Sequence, residues 1–149
     1  MSEFKRILLV EDDRTDAEMT LVALASHNLV NEVVVVEDGP AALDYLQVKG
    51  LFSLRSPGNP AVILLDLKLP KMDGLEVLSR IRADEQLKLI PVVMLTSSAE
   101  EKDLVNSYRL GANGYVVKPL DFKEFVTVVA SLGVFWAAIN QPPPSPPFV

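Results

Sequence analysis

The sequence predicts an α/β domain: a single five-stranded parallel sheet, doubly wound, with helices on both faces. Two observations predict it. Five short apolar runs are continuous rather than alternating, and the stretches between them carry helical spacing. Continuous Val, Ile and Leu suit strands covered on both faces. A repeated β-then-α order implies right-handed crossovers and one sheet. With 149 residues, 49% of them hydrophobic, the chain fits one domain with a real core.

The elements follow in order. "RILLV" (6–10) is the first strand, and Ala17, Leu21 and Leu24 then fall at i, i+4 and i+7, one helical face. His27, in "ASHNLVNE", reads as an ordinary residue at that helix's C-terminal end. "VVVV" (33–36) is the second strand, and Pro40 after Gly39 sits in the first turn of the next helix. "KGLFSLRSPGNP" (49–60) breaks the pattern and predicts a surface loop. "AVILL" (61–65) is the third strand, followed by a stripe of Leu75, Leu78, Ile81 and Arg82. "VVML" (92–95) and "YVV" (115–117) complete the sheet, and Phe125, Val129, Leu132 and Trp136 line the last helix. Asp73 with Glu76, Ser98 with Glu101, and Asp121 with Glu124 have capping-box spacing, which marks three helix starts. The end, "NQPPPSPPFV", holds five of 11 prolines and predicts an extended or disordered tail.

Composition narrows the function. No run of 18 uninterrupted apolar residues predicts a membrane span, and the N-terminal apolar run is too short for a signal peptide. Zero cysteines exclude disulfides, thiol nucleophiles and Cys-based zinc sites, and a cytoplasmic protein is expected. Fourteen basic against twenty acidic residues give a net charge of −6, with no compensating basic cluster, so nucleic-acid binding is not expected. A single histidine leaves no His-rich metal site.

Such a sheet gathers the C-terminal ends of its strands on one edge, where ligands bind. Those ends are "EDD" (Glu11 to Asp13), Asp66, "TSS" beginning at Thr96, and "KP" beginning at Lys118. If the first and third strands are neighbours, their ends lie about 5 Å apart. Two carboxylates ~4 Å apart repel by roughly 4 kcal/mol at an effective dielectric of 20. Glu11 or Asp12 facing Asp66 therefore calls for a shared cation. Only oxygen ligands are available, which suits Mg²⁺ or Ca²⁺; few carboxylates with several waters is the Mg²⁺ habit. Lys118 can reach Asp66 across the sheet, and an ionised aspartate beside a metal and a lysine is a nucleophile suited to phosphorus. Taken singly, Asp13 reads as a helix cap, Thr96 as a β-branched strand residue and Lys118 as a solvated lysine. Together at successive strand ends they read as a site.

"ILLVEDD", "ILLDLKLPKMDGLEVL", "PVVMLTSSAEE" and "GANGYVVKPLD" resemble the ordered signature of the receiver domain of bacterial two-component response regulators. The resemblance covers residues 4–132 and leaves 133–149 as a C-terminal helix extension with a Pro-rich tail. It implies the flavodoxin-like strand order 2-1-3-4-5. It also implies that Asp66 is phosphorylated from a phosphohistidine on a sensor histidine kinase. By the same likeness Asp12 and Asp66 hold Mg²⁺ directly, Glu11 acts through water, and the Lys68 carbonyl completes the metal site. Lys118 pairs with the acyl phosphate. Thr96 follows the phosphoryl group and Tyr115 turns inward behind it, reshaping the face made by the fourth helix, fifth strand and fifth helix. Lys68 and Ser98 match positions that influence the lifetime of the phosphate.

The chain stops soon after its last helix, so no output domain is expected. The long 49–60 connection and "VFW" (134–136) are similar to stand-alone regulators that partner bacteriophytochrome kinases. Those regulators often pair through the fourth-helix to fifth-helix face, which implies a homodimer; Phe135 and Trp136 serve equally as core-covering residues of an extended helix. Competing readings fit less well. A haloacid-dehalogenase-like phosphatase needs a second aspartate two positions beyond the nucleophile, where Lys68 stands. A flavodoxin-like FMN site would meet repulsion from "EDDRTD", and no P-loop is present. A degenerate receiver serving only as a docking module is opposed by the intact Asp66, Thr96 and Lys118.

Overall fold

The structure, a computed structural model, describes residues 5–26 and 33–146; His27 lies outside them. Ten elements alternate along the chain: β1 (Ile7–Val10), α1 (Arg14–Ala25), β2 (Val33–Val36), α2 (Gly39–Gln47), β3 (Val62–Leu65), α3 (Gly74–Ala83), β4 (Val92–Thr96), α4 (Glu101–Arg109), β5 (Gly114–Val117) and α5 (Phe122–Gly133). All neighbouring strands are parallel, in the order β2-β1-β3-β4-β5. Val10 pairs with Leu65, so the residues that follow β1 and β3 emerge side by side.

The continuous apolar runs have a direct cause. Successive strand side chains point to opposite faces. Leu8, Val10, Ile63 and Leu65 pack with Ala42, Leu46, Val77, Leu78 and Ile81 of α2 and α3. Ile7, Leu9, Val62, Leu64, Val93 and Leu95 pack with Leu24 of α1 and with Phe125 and Val129 of α5. Burying apolar surface on both faces keeps β1 and β3 apolar along their whole length.

Helix starts follow the capping-box spacing at two of the three marked places and depart from it at one. Asp73 and Asp121 accept from the N–H of Glu76 and Glu124 and begin α3 and α5. Asp13 and Asp38 begin α1 and α2 in the same way, with Pro40 in the first turn of α2. Ser98 does not cap α4. That helix begins at Glu101 with Glu100 at its N-cap and no side-chain cap. Ser98 Oγ instead donates to Asp103 Oδ2 at 2.6 Å and accepts from Glu100 N–H at 3.3 Å, a backbone group that lies before the helix rather than in its first turn. In α1 the buried stripe includes Thr20, whose hydroxyl donates to Asp16 O at 2.8 Å and so enters the core without an unmet polar group.

The 49–60 connection is tied down rather than loose. It holds a 3-10 turn at Gly50–Phe52. Arg55 stacks 4.2 Å over the Tyr45 ring while its Nε donates to Tyr45 O. Arg6 reaches the carbonyls of Ser56, Pro57 and Gly58.

After α5 the chain continues as a π-helical segment, Val134–Ile139, with Ala137 buried. From there to residue 146 the tail has no helix and packs back on the domain: Asn59 N–H donates to Ser145 Oγ at 2.8 Å, and Lys5 Nζ to Asn140 O at 3.3 Å. Phe122–Ile139 forms an 18-residue helix of mean hydropathy 1.6, long and apolar enough by length and composition to cross a membrane. Its buried residues, Phe125, Val129, Ala130 and Ala137, are spent on the sheet-facing core. The interruptions by Lys123, Glu124 and small polar residues hid that average from a search for unbroken apolar runs.

Candidate metal centre at the strand ends

Each candidate side chain is set one ladder bond beyond a strand. Glu11 N–H donates to Val36 O at 3.0 Å, Asp66 N–H to Val10 O at 3.2 Å and Lys118 N–H to Thr96 O at 2.7 Å. The sheet therefore fixes these three backbones before any side-chain contact forms. Gly74, at the start of α3, donates its N–H to Leu67 O at 2.7 Å, and a Cβ there would overlap the Asp66 carbonyl oxygen. Only glycine lets α3 begin this close to the acceptor strand.

Oxygens of Glu11, Asp12 and Asp66 can all lie within 4.8 Å of one another. Glu11 and Asp66 are buried and Asp12 is exposed, so one side of the cluster opens to water. Three hard oxygen donors with an open side suit a small divalent cation that keeps several waters, and Mg²⁺ fits that description. Lys118 crosses from β5 and donates from Nζ to Glu11 Oε1 at 2.5 Å, Asp16 Oδ2 at 2.9 Å and Asp66 Oδ2 at 3.1 Å. An ammonium has three protons, and all three are used.

Electrostatics follow from one cation among several acids. Burial pushes the Glu11 carboxyl up to about 7; the Lys118 ammonium offsets only part of this, and the Asp66 charge adds to it. Burial alone would lower Lys118, but its hydrogen bonds to Glu11 and Asp16 and the charge on Asp66 hold it above its usual value. The lysine thus stays an ammonium, and Glu11 is the group poised to exchange a proton. No buried side-chain polar atom among the described residues lacks a partner.

The opposite wall belongs to β4 and the loop after it. Thr96 is 1% exposed, and its Oγ1 accepts from Ser98 N–H at 3.2 Å. Tyr115, on β5, donates its hydroxyl to Ser98 O at 2.9 Å, and burial raises its pKa. Thr96 and Tyr115 therefore hold Ser98 through its N–H and its C=O respectively. Lys68 is exposed and lines a cleft of about 350 Å³ with Asp66, Thr96, Ser97, Ser98, Ala99 and Glu100.

Glu11, Asp12 and Asp66 thus lie together with the Lys118 ammonium among them, Thr96 and Lys68 line the cleft, and Tyr115 reaches the cleft's Ser98 wall without lining it. The sequence reading missed Asp16. The signal for it was present as a second Asp three residues after the Asp13 cap, but that spacing reads first as helix capping.

Comparison with known proteins agrees with the geometry. Residues 7–130 match the family model described as the response regulator receiver domain. Response regulator Rcp1 of Synechocystis sp. is 42% identical over 132 residues, covering 89% of this chain and 88% of its own. The phosphorylated cyanobacterial phytochrome response regulator RcpA matches with a TM-score of 0.88 at 40% identity, over 95% of this chain and 99% of that one. The Mn²⁺-bound form of Rcp1 gives 0.86 at 40% identity, over 93% and 99% of the two chains. The bacteriophytochrome response regulator RtBRR gives 0.75 at 63% identity, over 95% and 85%.

Proposed function

The chain belongs to the response regulator receiver domain family, and from that premise we propose that Asp66 is the carboxylate that takes phosphate from a sensor histidine kinase. One observation carries the reading. Asp66 stands at a rigid strand end with the acid pair beside it and the Lys118 ammonium 3.1 Å from its Oδ2. In the step, an Asp66 carboxylate oxygen bonds to phosphorus while the bond from phosphorus to the donor's imidazole nitrogen breaks, its electron pair leaving with the nitrogen. Lys118 turns a proton toward the phosphoryl oxygens, and the Thr96 hydroxyl is within the same cleft. The Mn²⁺-bound form of Rcp1 supports a divalent metal at this acidic cluster, and Mg²⁺ bound there would supply positive charge against the phosphoryl oxygens. In this reading Asp12 and Asp66 would hold it directly, Glu11 through water, and Lys68 through its backbone carbonyl.

The chain acts as a signalling phospho-acceptor that assists its own phosphorylation and dephosphorylation, with Lys68 and Ser98 at the rim of the cleft setting the lifetime of the phosphate. Signalling runs through Ser98. A Thr96 hydroxyl drawn to the phosphoryl group gives up the Ser98 N–H, and Tyr115, bound to the Ser98 carbonyl, feels the shift. The α4-β5-α5 face beside it exposes Leu104, Val105, Tyr108, Val117, Leu120 and Phe122. A second copy of the chain is the occupant we assign to this face. The phytochrome-associated relatives support a phytochrome-type kinase as the phosphate donor.

The test is incubation with a small phosphodonor and Mg²⁺, read by intact mass. One labile phosphate is expected on the wild type and none on Asp66→Asn. An adduct that survives in Asp66→Asn, or none on the wild type, overturns the assignment.

A further inference from the structure

We propose that Asp16 is a positioning residue for phosphoryl transfer: from the first turn of α1 it holds the Lys118 ammonium in register with Asp66. The inference rests on the reading of Asp66 as the acceptor. Asp16 is the third helical residue after the Asp13 N-cap, where a capping box returns the side chain to the N–H of the cap. The box is only half closed. Asp13 Oδ1 accepts from Asp16 N–H at 2.9 Å, but Asp13 N–H donates to Glu11 Oε2 at 3.1 Å, leaving the Asp16 carboxylate free for another donor. That donor is Lys118, 102 residues along the chain. The Asp16 side chain is 25% exposed and the Lys118 side chain 6%, so the contact joins the helix surface to a buried cation.

The geometry gives the contact a purpose. Lysine carries its charge on a flexible four-carbon stem, which by itself fixes no direction for its protons. Glu11 takes one proton from the end of β1 and Asp16 a second from the start of α1. With those two anchored, the third points to Asp66, where phosphoryl oxygens arrive. Orientation set in advance is what lowers the cost of transfer. When Asp66 is phosphorylated, negative charge passes from its carboxylate to the phosphoryl oxygens, and the third lysine proton follows it while Glu11 and Asp16 hold the other two.

The test compares timed phosphorylation by a small phosphodonor at saturating Mg²⁺ in the wild type, Asp16→Asn and Glu18→Gln, and in Asp16→Asn combined with Lys118→Gln. Glu18 is an exposed acid on the same helix and controls for loss of charge alone. Asp16→Asn is expected to slow the wild-type reaction about tenfold, as loss of an orienting partner does. Glu18→Gln is expected to match the wild type. In the Lys118→Gln background Asp16→Asn is expected to add nothing, because the residue it positions is gone. In a spectrum of lysine ammonium groups, the protected Lys118 signal is expected to weaken in Asp16→Asn and to persist in Glu18→Gln. An unchanged rate in Asp16→Asn, or an equal fall in both backgrounds as a helix-start defect would give, overturns the proposal. Absence of phosphate on the wild type is a separate result, which overturns the acceptor assignment instead.

Discussion

At Lys118 one ammonium answers three carboxylates, and that ratio decides how the site responds to protons and metal. Glu11 has a folded-state value of about 7 against an ordinary value of 4.5, so the folded protein binds its proton more tightly than the unfolded chain. A raised value contributes stability that is complete below the unfolded pKa and is lost as pH rises through the folded one. Metal-free protein is therefore expected to lose thermal stability between about pH 5 and 7, from this group. Mg²⁺ competes with the Glu11 proton, so its stabilising effect should grow over the same interval. Melting with and without Mg²⁺ at about pH 5.5 and 8 checks this; an equal rise in Tm at both values contradicts it. Glu11, Asp12, Asp66, Thr96 and Lys118 were legible in the sequence because they fall together at successive strand ends, a conjunction that no single structural duty explains. Asp16 was not, because a carboxylate in a first helical turn has a duty already.

Among the elements, α3 is fastened by one side chain. Arg82 lies at the end of its apolar stripe, and its guanidinium donates to the carbonyls of Gly111, Lys88 and Ile90 and to Asn113 Oδ1. It thereby ties α3 to the segment before β4 and the turn before β5. Gly111 has φ +101°, and a Cβ there would press on the Arg82 side chain, so the turn needs glycine for both reasons. Arg82→Ala leaves several partly buried carbonyls without donors and is expected to cost about 3 kcal/mol. Arg80→Ala, which breaks only an exposed pair with Glu76, is expected to cost less than about 0.5 kcal/mol. Urea unfolding of both variants checks the contrast, and equal costs contradict it. The strands were legible to within a residue or two at their ends because burial on both faces leaves a continuous apolar signature. The start of α4 was not: Ser98 has the spacing of a cap, and only the folded loop brings Asp103 to its hydroxyl. The change from α5 to π-helical turns at Val134 has no marker in the residues themselves.

For the molecule as a whole, parallel pairing is what turns four separate stretches of sequence into one site. Every strand delivers its C-terminal end to the same edge, while the two apolar clusters hold the edge rigid from either face. The fold class was legible from the apolar runs and the helical stretches between them; strand order and family were legible only through the resemblance of the strand-end motifs, since the sheet runs β2-β1-β3-β4-β5 and not in chain order. The exposed α4-β5-α5 surface is a property of the assembled domain, and a second copy covering it predicts dimers in sedimentation at high concentration. Monomer alone, with and without a phosphate mimic, contradicts that assignment. Above all these stands the identity of the phosphorylated carboxylate. Phosphorylated protein treated with borohydride converts an aspartyl phosphate to homoserine, which peptide mass spectrometry locates. Conversion at residue 66 alone is the predicted result; conversion at Asp12 or another acid, with Asp66 intact, would contradict the account.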